Sequence, residues 1–447
     1  MTPAGMDTAT PRICFYGDDF TGATDTLATA TQAGLRSILF LRIPSAAQLR
    51  AAGTLDCLGI AGAARAMDAA EMETELEPVA TFFAGRAPVT HYKICSTFDS
   101  AAQVGNIGVA LRIWRRHIPN RFVAIVGGQP NLDRYCAFSH LFAAVRKGGE
   151  VVRIDRHDTM RRHPVTPLHE SDLRLHLQAQ QLRVAAIHYP VYARGDDALD
   201  QQIEQKLTTS SDAMLFDIAE AAHLAPVGRV IWQRAVRQPL LAIGASSVVQ
   251  ALCSHWQQQG QLPSATTVSR DNVAATDGPV FVLAGSLSPV TAMQIAAATS
   301  FRHVMLDAQS LIDGDEQYIA AALQSIAVQL RAGLHVLACT AAADGGRKLL
   351  DAPDAARRLA HAGGEFLRRL LQLMPLRRVG VAGGDTSSYA LKALDIWGLS
   401  YLGNLAAGVA LCQTHADASH LHGMQLMLKG GQMGGADLFE LLVHGQP

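Results

Sequence analysis

Ile13-Cys14-Phe15-Tyr16-Gly17-Asp18-Asp19-Phe20-Thr21-Gly22-Ala23-Thr24-Asp25 is the stretch that decides the architecture. Four apolar residues read as a buried strand, Gly17-Asp18-Asp19 as a polar turn, and Thr21 to Ala33 as a small-residue helix closed by Gly34 as a C-cap. A strand that passes through a short polar turn into a helix is the repeating step of parallel α/β construction.

The same step recurs along the chain. Ser37 to Leu41, Asp56 to Ala61, Tyr92 to Cys95, Phe122 to Val126, Val184 to Ile187, Ala213 to Phe216 and Leu240 to Ile243 read as further strands. Between about Gly260 and Gly278 the alternation lapses into polar and small residues, with Pro263, Ser264, Ser269 and Asp277, and a domain boundary belongs there. Strand patterns restart at Val280 to Ala284, His303 to Leu306, His335 to Cys339 and Arg378 to Ala382, with helical patterns at Glu316 to Ala332 and Ala355 to Leu373. The Arg-, His- and Pro-rich segment Arg153 to Pro167 fits neither period and reads as a structured loop. The expected fold is α/β with two domains, 1–260 and 278–447, each a mainly parallel sheet flanked by helices, and an active-site cleft between them.

Composition narrows the function classes. The chain has 447 residues, more than one hydrophobic core usually serves, with 49% apolar and 17% charged residues and a formal net charge of −1. There is no basic stripe of the kind that nucleic-acid binding requires. No apolar stretch is long enough to span a bilayer, and Met1 to Pro11 lacks a signal-peptide core, so the cytoplasm is the expected compartment. The seven cysteines are scattered without a C-x-x-C pair, as reduced thiols packed as small hydrophobes would be.

Five places carry chemistry. Asp18 and Asp19 are adjacent carboxylates at the C-terminal end of a strand, where open α/β sheets hold ligands. Their repulsion is best tolerated beside a cation, hydroxyls or backbone N–H groups; helix capping is the alternative account, and Asp25 one turn on favours a site. Lys93-Ile94-Cys95-Ser96-Thr97-Phe98-Asp99-Ser100 puts a cation, two hydroxyls and an acid in one segment, suited to a carboxylate-bearing ligand, with Lys93 pairing the carboxylate and Ser96 and Thr97 bonding neighbouring hydroxyls. Structurally, Lys93 could instead snorkel from a strand edge. Gly285-Ser286-Leu287-Ser288-Pro289 is a strand-to-helix turn of small residues that lets backbone approach a phosphate, and Ser288 also suits an N-cap.

Gly383-Gly384-Asp385-Thr386 and Lys429-Gly430-Gly431 are two glycine loops within the second domain, the first carrying an acid able to orient Mg²⁺ or accept a proton, the second a cation. No P-loop lysine motif and no protein-kinase signature is present. His415, His420 and His422 cluster without acid or cysteine partners at metal spacing, so no metal is expected beyond the Mg²⁺ carried by ATP. His163, in the loop Arg162-His163-Pro164, is either bonded to backbone or a substrate contact.

Taken jointly, Asp18-Asp19-Phe20-Thr21-Gly22-Ala23, Lys93 with Ser96-Thr97, Gly285-Ser286 with Ser288, Gly383-Gly384-Asp385-Thr386, and Lys429-Gly430-Gly431 resemble the four-carbon acid sugar kinase family over nearly the full chain. The resemblance implies an N-terminal acid-sugar-binding domain and a C-terminal ATP-binding domain. It also implies transfer of the γ-phosphate of ATP to a terminal hydroxyl of threonate, erythronate or 3-oxo-tetronate. One segment departs from the family's K-x-D-S-T-L-R-G-N: Cys95 replaces the acid, and Phe98-Asp99-Ser100 replaces Leu-Arg-Gly. Loss of an arginine and displacement of a carboxylate alter substrate fit, and make a branched acid sugar such as 3-oxo-isoapionate a candidate.

The expected assignments follow. Asp18, Asp19, Lys93, Ser96, Thr97, Asp99 and His163 bind substrate; Ser286, Ser288, Gly383, Gly384, Asp385, Thr386, Lys429, Gly430 and Gly431 bind ATP; Asp385 or Asp19 assists the hydroxyl. Partners are the acid sugar and ATP, and a homodimer is one assembly the sequence allows. Two rival classes remain, an ATP-independent acid-sugar hydrolase or aldolase and a non-catalytic nucleotide-responsive protein.

Overall fold

Ile13–Gly17 (β1) is buried at every position, as are Cys57–Ala61 (β3), Val89–Lys93 (β4), Ala213–Asp217 (β10) and Leu240–Gly244 (β11). Strands covered on both faces read as continuous apolar runs, which is why the sequence pattern is unbroken rather than alternating. The computed structural model describes residues 10–145, 148–162, 165–263, 273–285, 288–340, 355–431 and 433–446. It divides into two compact units, Met1–Ile38 with Arg42–Ser269, and Leu39–Leu41 with Arg270–Pro447.

In the first unit β3, β1, β4, β11, Ala124–Gly127 (β5), β10 and Val184–Ile187 (β9) pair in that order, all in parallel, with Ser37–Phe40 (β2) next to β3. The chain leaves β1 toward β3 and returns on the other side as β4. Open α/β sheets hold ligands at such a switch point, outside the carboxyl ends of the strands. Register sets Gly17 opposite Lys93 and Lys93 opposite Gly244 at that edge. On one face Trp114 packs against Phe83, Tyr16 and Tyr92.

The strand expected at Tyr92 to Cys95 runs instead from Val89 to Lys93. Buried Thr90 and His91 disguise its start; the His91 ring lies 3.0 Å from the Gly244 carbonyl. A separate antiparallel sheet of Arg134–Ala137 (β6), His140–Ala144 (β7) and Val151–Arg153 (β8) was not expected. Its hairpin turns on Phe138 and Ser139, both at positive φ (51° and 70°), without the glycine or asparagine that signals such a turn. The buried Asp217 carboxylate supplies the compensation by accepting both N–H groups, at 2.7 and 3.1 Å. The segment read as a loop from Arg153 begins at the end of β8 and includes a helical turn, Asp158–Arg161.

The second unit pairs Phe301–Met305 (β13), His335–Cys339 (β14), Val280–Ala284 (β12), Arg378–Ala382 (β15) and Gln425–Lys429 (β18) in parallel. Val409–Ala416 (β17) and Ile396–Ala406 (β16) then add in antiparallel fashion. These two strands escaped the sequence reading because three register shifts break their period. Val280, Val282, Leu337, Met427, Phe439 and Leu442 share the core of this unit. The chain leaves β12 toward one side and returns as β15 on the other, so this sheet has its own switch point. Among the described residues no helix is long and apolar enough to cross a membrane.

Close packing of the helices Leu224–Ala235 and Ser247–Gln258 in the first unit depends on Gly228, where a Cβ would lie 1.9 Å from the Ala251 carbonyl oxygen. Gly228→Ala is expected to lower unfolding stability by about 1–3 kcal/mol, since backbone must move. Urea unfolding checks this, and an unchanged midpoint would show that the two helices separate freely.

Candidate active site

Loops from the strand ends meet at the carboxyl edge of the first sheet. The Asp18 N–H donates to Lys93 O (3.0 Å), Gly62 N–H to Gly17 O (2.9 Å) and Ile94 N–H to Gly244 O (2.9 Å), so the ladder extends one residue past the strands. Asp18 and Asp19 therefore leave β1 in a fixed direction. Asp19 caps the helix Phe20–Gln32, accepting from Gly22 N–H at 3.1 Å and Thr21 Oγ1 at 2.6 Å. The helix-cap and ligand-site accounts of this pair are thus compatible.

Arg65, absent from the sequence assignments, joins the two acids. One guanidinium nitrogen lies 2.7 Å from an oxygen of Asp18 and 2.7 Å from one of Asp19, and Nε donates to Asp18 at 3.2 Å. Lys93 Nζ reaches Asp19 at 3.5 Å. Room for the ammonium exists because residue 22 is glycine; a Cβ there would fall 1.6 Å from Nζ. The signal for Arg65 was its place, four residues past the end of β3 on the same sheet edge.

The two carboxylates differ. Burial raises the pKa of Asp18 above the ordinary carboxylate value, outweighing the opposing pull of Arg65. Burial acts on Asp19 in the same sense, but Arg65, then Lys93, the Thr21 hydroxyl and the Gly22 N–H together hold it well below that value. Asp19 is an anchored anion, and a weak proton acceptor.

Next to them, Thr97 donates to Asp99 at 3.0 Å, and the Cys95 sulfur lies 3.0 Å from the Thr97 hydroxyl. Burial raises the Cys95 thiol pKa and keeps it neutral. Phe98 is buried at φ 58°, so the segment turns sharply; Ser100, His176 and Gln180 brace it from behind, with Gln180 donating to Ser100 at 2.8 Å. The Ser96 hydroxyl has no partner among the described residues. Asp25 accepts from Ser246 and from Gln129 (3.3 Å), tying the first helix to the loops after β11 and β5. His163 lies outside the described residues.

In the second unit the equivalent edge is built from small residues. Ala284, Ala382 and Lys429 stand in register across β12, β15 and β18. The Gly285 N–H donates to Ala382 O (3.0 Å) and Gly383 N–H to Lys429 O (2.9 Å). Gly285 has to be glycine, because a Cβ would lie 2.3 Å from Thr386 Oγ1. Gly383, at φ 129°, turns the chain into the helix Gly384–Ala393, leaving Gly384 open and Asp385 exposed without a partner among the described residues. Ser288 caps the helix Pro289–Ala297, and Ser286 lies outside the described residues.

Lys429 is fully buried. Its ammonium donates to Thr291 Oγ1 (2.8 Å), Gln294 Oε1 (2.7 Å) and, weakly, the Gly431 carbonyl (3.5 Å), and burial lowers its pKa to about 8. Thr291 also donates to Gly431 O, and Gln294 to Met433 O and Gly435 O. The lysine, expected to face a nucleotide, here pins the Gly430-Gly431 loop from below. A cavity of about 600 Å³ elsewhere in this unit is lined by Ile319, Arg357, His361, Phe366 and Tyr389, and by none of the expected site residues. Among the described residues no group of three or more His, Cys, Asp or Glu side chains converges as a metal site.

A family model described as a sugar-binding N-terminal domain matches residues 13–252, and one described as a nucleotide-binding C-terminal domain matches residues 281–439. The chain is 36% identical to 3-oxo-isoapionate kinase of Paraburkholderia graminis, over 99% of this chain and 95% of that protein. It is 29% identical to 3-oxo-tetronate kinase of Cupriavidus necator, over 98% of each. Among solved structures, a Salmonella typhimurium protein described as a tRNA synthase superposes with TM-score 0.76 at 23% identity, over 96% of this chain and 98% of its own. A Haemophilus influenzae protein of a domain-of-unknown-function family does so with TM-score 0.70 at 20% identity, with the same coverage. At such identities these two structures speak for the fold alone. A sugar-binding domain followed by a nucleotide-binding domain is the make-up of a sugar kinase. The chain belongs to the four-carbon acid sugar kinase family.

The unequal carboxylates give a pH-dependent prediction. A lowered folded-state pKa makes Asp19 stabilising above the ordinary carboxylate range, near pH 4, and that contribution is lost as pH falls through it. Asp18, with a raised pKa, contributes in acid and loses that contribution as pH rises. Asp19→Asn is therefore expected to destabilise more than Asp18→Asn at pH 7, with the gap narrowing toward pH 4. Urea midpoints of both variants at the two pH values check this; equal losses throughout would refute the assigned asymmetry.

Proposed function

We propose that the protein transfers the γ-phosphate of ATP to a terminal hydroxyl of a four-carbon or branched acid sugar. A 3-oxo-isoapionate-type substrate is the first candidate, and threonate, erythronate or 3-oxo-tetronate the next. The observation that carries this reading is the contrast between the two carboxyl edges. One offers charged groups and hydroxyls suited to a small polar acid; the other offers glycine backbone, hydroxyls and one free carboxylate suited to phosphate. The relative at 36% identity is named for 3-oxo-isoapionate, and Cys95 with Phe98-Asp99-Ser100 is the segment whose chemistry would set the choice among acid sugars.

In this reading the substrate lies against Asp18, Asp19, Lys93, Ser96, Thr97 and Asp99, with His163 a further candidate. ATP lies against Ser286, Ser288, Gly383, Gly384, Thr386 and Gly430-Gly431. The domains correspond to 1–260 and 278–447. Transfer requires acceptor hydroxyl and γ-phosphate in line with water excluded. Mg²⁺ brought with ATP would neutralise charge on the phosphates, and Asp385, an exposed carboxylate without a partner among the described residues, is the hard oxygen donor fitted to hold it. Asp19 is held as an anion by two cations, which leaves Asp385 as the candidate to accept the hydroxyl proton. Lys429 serves the nucleotide by fixing the shape of its loop.

Release of ADP in a coupled assay, screened over four- and five-carbon acid sugars and their 3-oxo forms, tests the activity. Turnover of an acid sugar without ATP would point to a hydrolase or aldolase, and ATP binding with no ADP release to a regulatory protein. Asp385→Asn is expected to lower kcat by roughly 10²–10³-fold, the scale of losing a positioned acid–base or charge-stabilising group, with the melting temperature unchanged. Near-normal turnover would remove Asp385 from the mechanism.

A further inference from the structure

Three cations face the Cys95–Asp99 segment. Arg65 and Lys93 lie within electrostatic reach of the Cys95 thiol, and so does Arg134, the first residue of β6. Arg65 and Lys93 are already matched by Asp18 and Asp19. Arg134 is not. Its Nη1 donates to the backbone carbonyls of Leu132 (2.7 Å) and Asp133 (3.3 Å), and no carboxylate among the described residues lies within 4 Å of the guanidinium. Its Nε–H is buried and has no acceptor.

A buried guanidinium donor left without an acceptor costs free energy unless a ligand completes it. The carbonyl bonds aim the fork, and β6 holds its root: Arg134 and Gln129 exchange backbone hydrogen bonds, at 2.8 and 3.3 Å. Burial lowers the pKa of Arg134, and the carboxylates of Asp133 and Asp99 act more weakly in the opposite sense. Cys95, which lies within electrostatic reach of all three cations, is a buried neutral thiol. The nearby carboxylates of Asp133 and Asp99 act on Arg134 from a distance, and among the described residues neither forms an ion pair with it.

We infer that Arg134 is the residue that binds the carboxylate of the acid sugar, receiving it beside Cys95 with Nε and the free edge of its guanidinium. This rests on the proposed acid-sugar reading and deepens it. Lys93, expected to pair that carboxylate, then holds Asp19 in place and contributes field rather than the principal contact. A planar fork accepts a carboxylate in two parallel bonds, whereas an ammonium does not. The hairpin turn held by Asp217 acquires a purpose, since it places β6, and with it Arg134, over the sheet edge.

The test compares acids with their uncharged counterparts on the full-length protein. Calorimetric titration without nucleotide uses threonate and erythronate against threitol and erythritol, for wild type, Arg134→Gln and Arg134→Lys, with melting temperature and circular dichroism as controls for folding. Wild type is expected to prefer the acids. Arg134→Gln should weaken acid binding on the order of a hundredfold, the scale for removing one partner of a buried charged pair, while leaving the alcohols within about twofold. Arg134→Lys, which keeps the charge without the fork, should recover part of the preference and serves as the readout if Arg134→Gln does not fold. An unchanged acid-to-alcohol ratio in the folded variants, or no preference in wild type, overturns the inference. If the preference depends on Arg134 but no acid sugar is phosphorylated with ATP, the kinase reading fails and the carboxylate assignment stands.

Discussion

Two neighbouring carboxylates at the end of a strand buried on both faces cannot both stay charged unless cations meet them there. Asp18 and Asp19 are met by Arg65 from the loop after β3 and by Lys93 from the end of β4. The strands on either side of β1 thus each deliver one positive charge to the same point. That requirement fixes the direction of the first helix, whose cap is Asp19, and fixes residue 22 as the glycine over which Lys93 passes. It also divides the work between the acids: Asp18, almost enclosed, is the costlier charge, and Asp19, with four donors about it, is the stable one.

The second unit solves a different problem with different material. Phosphate oxygens are strong acceptors and are well served by backbone N–H groups, so its loops are glycine-rich and approach closely, as Gly285 does to Thr386. Charge enters sparingly. Lys429 is spent beneath the loop on Thr291, Gln294 and a carbonyl, an arrangement without a carboxylate that leaves an ammonium poorly compensated and lowers its pKa. Asp385 stands out by contrast, exposed in the first turn of its helix and without a partner among the described residues. One edge is thus suited to recognising an organic acid, and the other to holding an anion chain whose charges come with their own cation.

Much of this was legible in residues alone. The fully buried strands Val280–Ala284 and Arg378–Ala382 and the partly buried Val184–Ile187 and His335–Cys339 declare themselves by their apolar runs, and the helix Ala355–Leu373 by its period. Where the reading slipped, a specific compensation was hidden elsewhere in the chain. Thr90 and His91 hide the start of β4 until the Gly244 carbonyl meets the imidazole. Phe138 and Ser139 do not look like a tight turn until Asp217, some eighty residues on, accepts their N–H groups. Bulges between β16 and β17 erase the alternation that would have revealed them.

The chemistry of the site divides along the same line. Residue types and their local order determined that acids follow the first strand, that a cation and hydroxyls follow the fourth, and that glycines, hydroxyls and an acid end the strands of the second unit. These are properties of contiguous segments, and spacing along the chain expresses them. Which groups are already paired is a property of distant segments brought together, and only the tertiary structure decides it. The roles of Arg65 and Arg134 lie in partners that distant segments supply: two carboxylates for the first, and backbone carbonyls with no carboxylate among the described residues for the second.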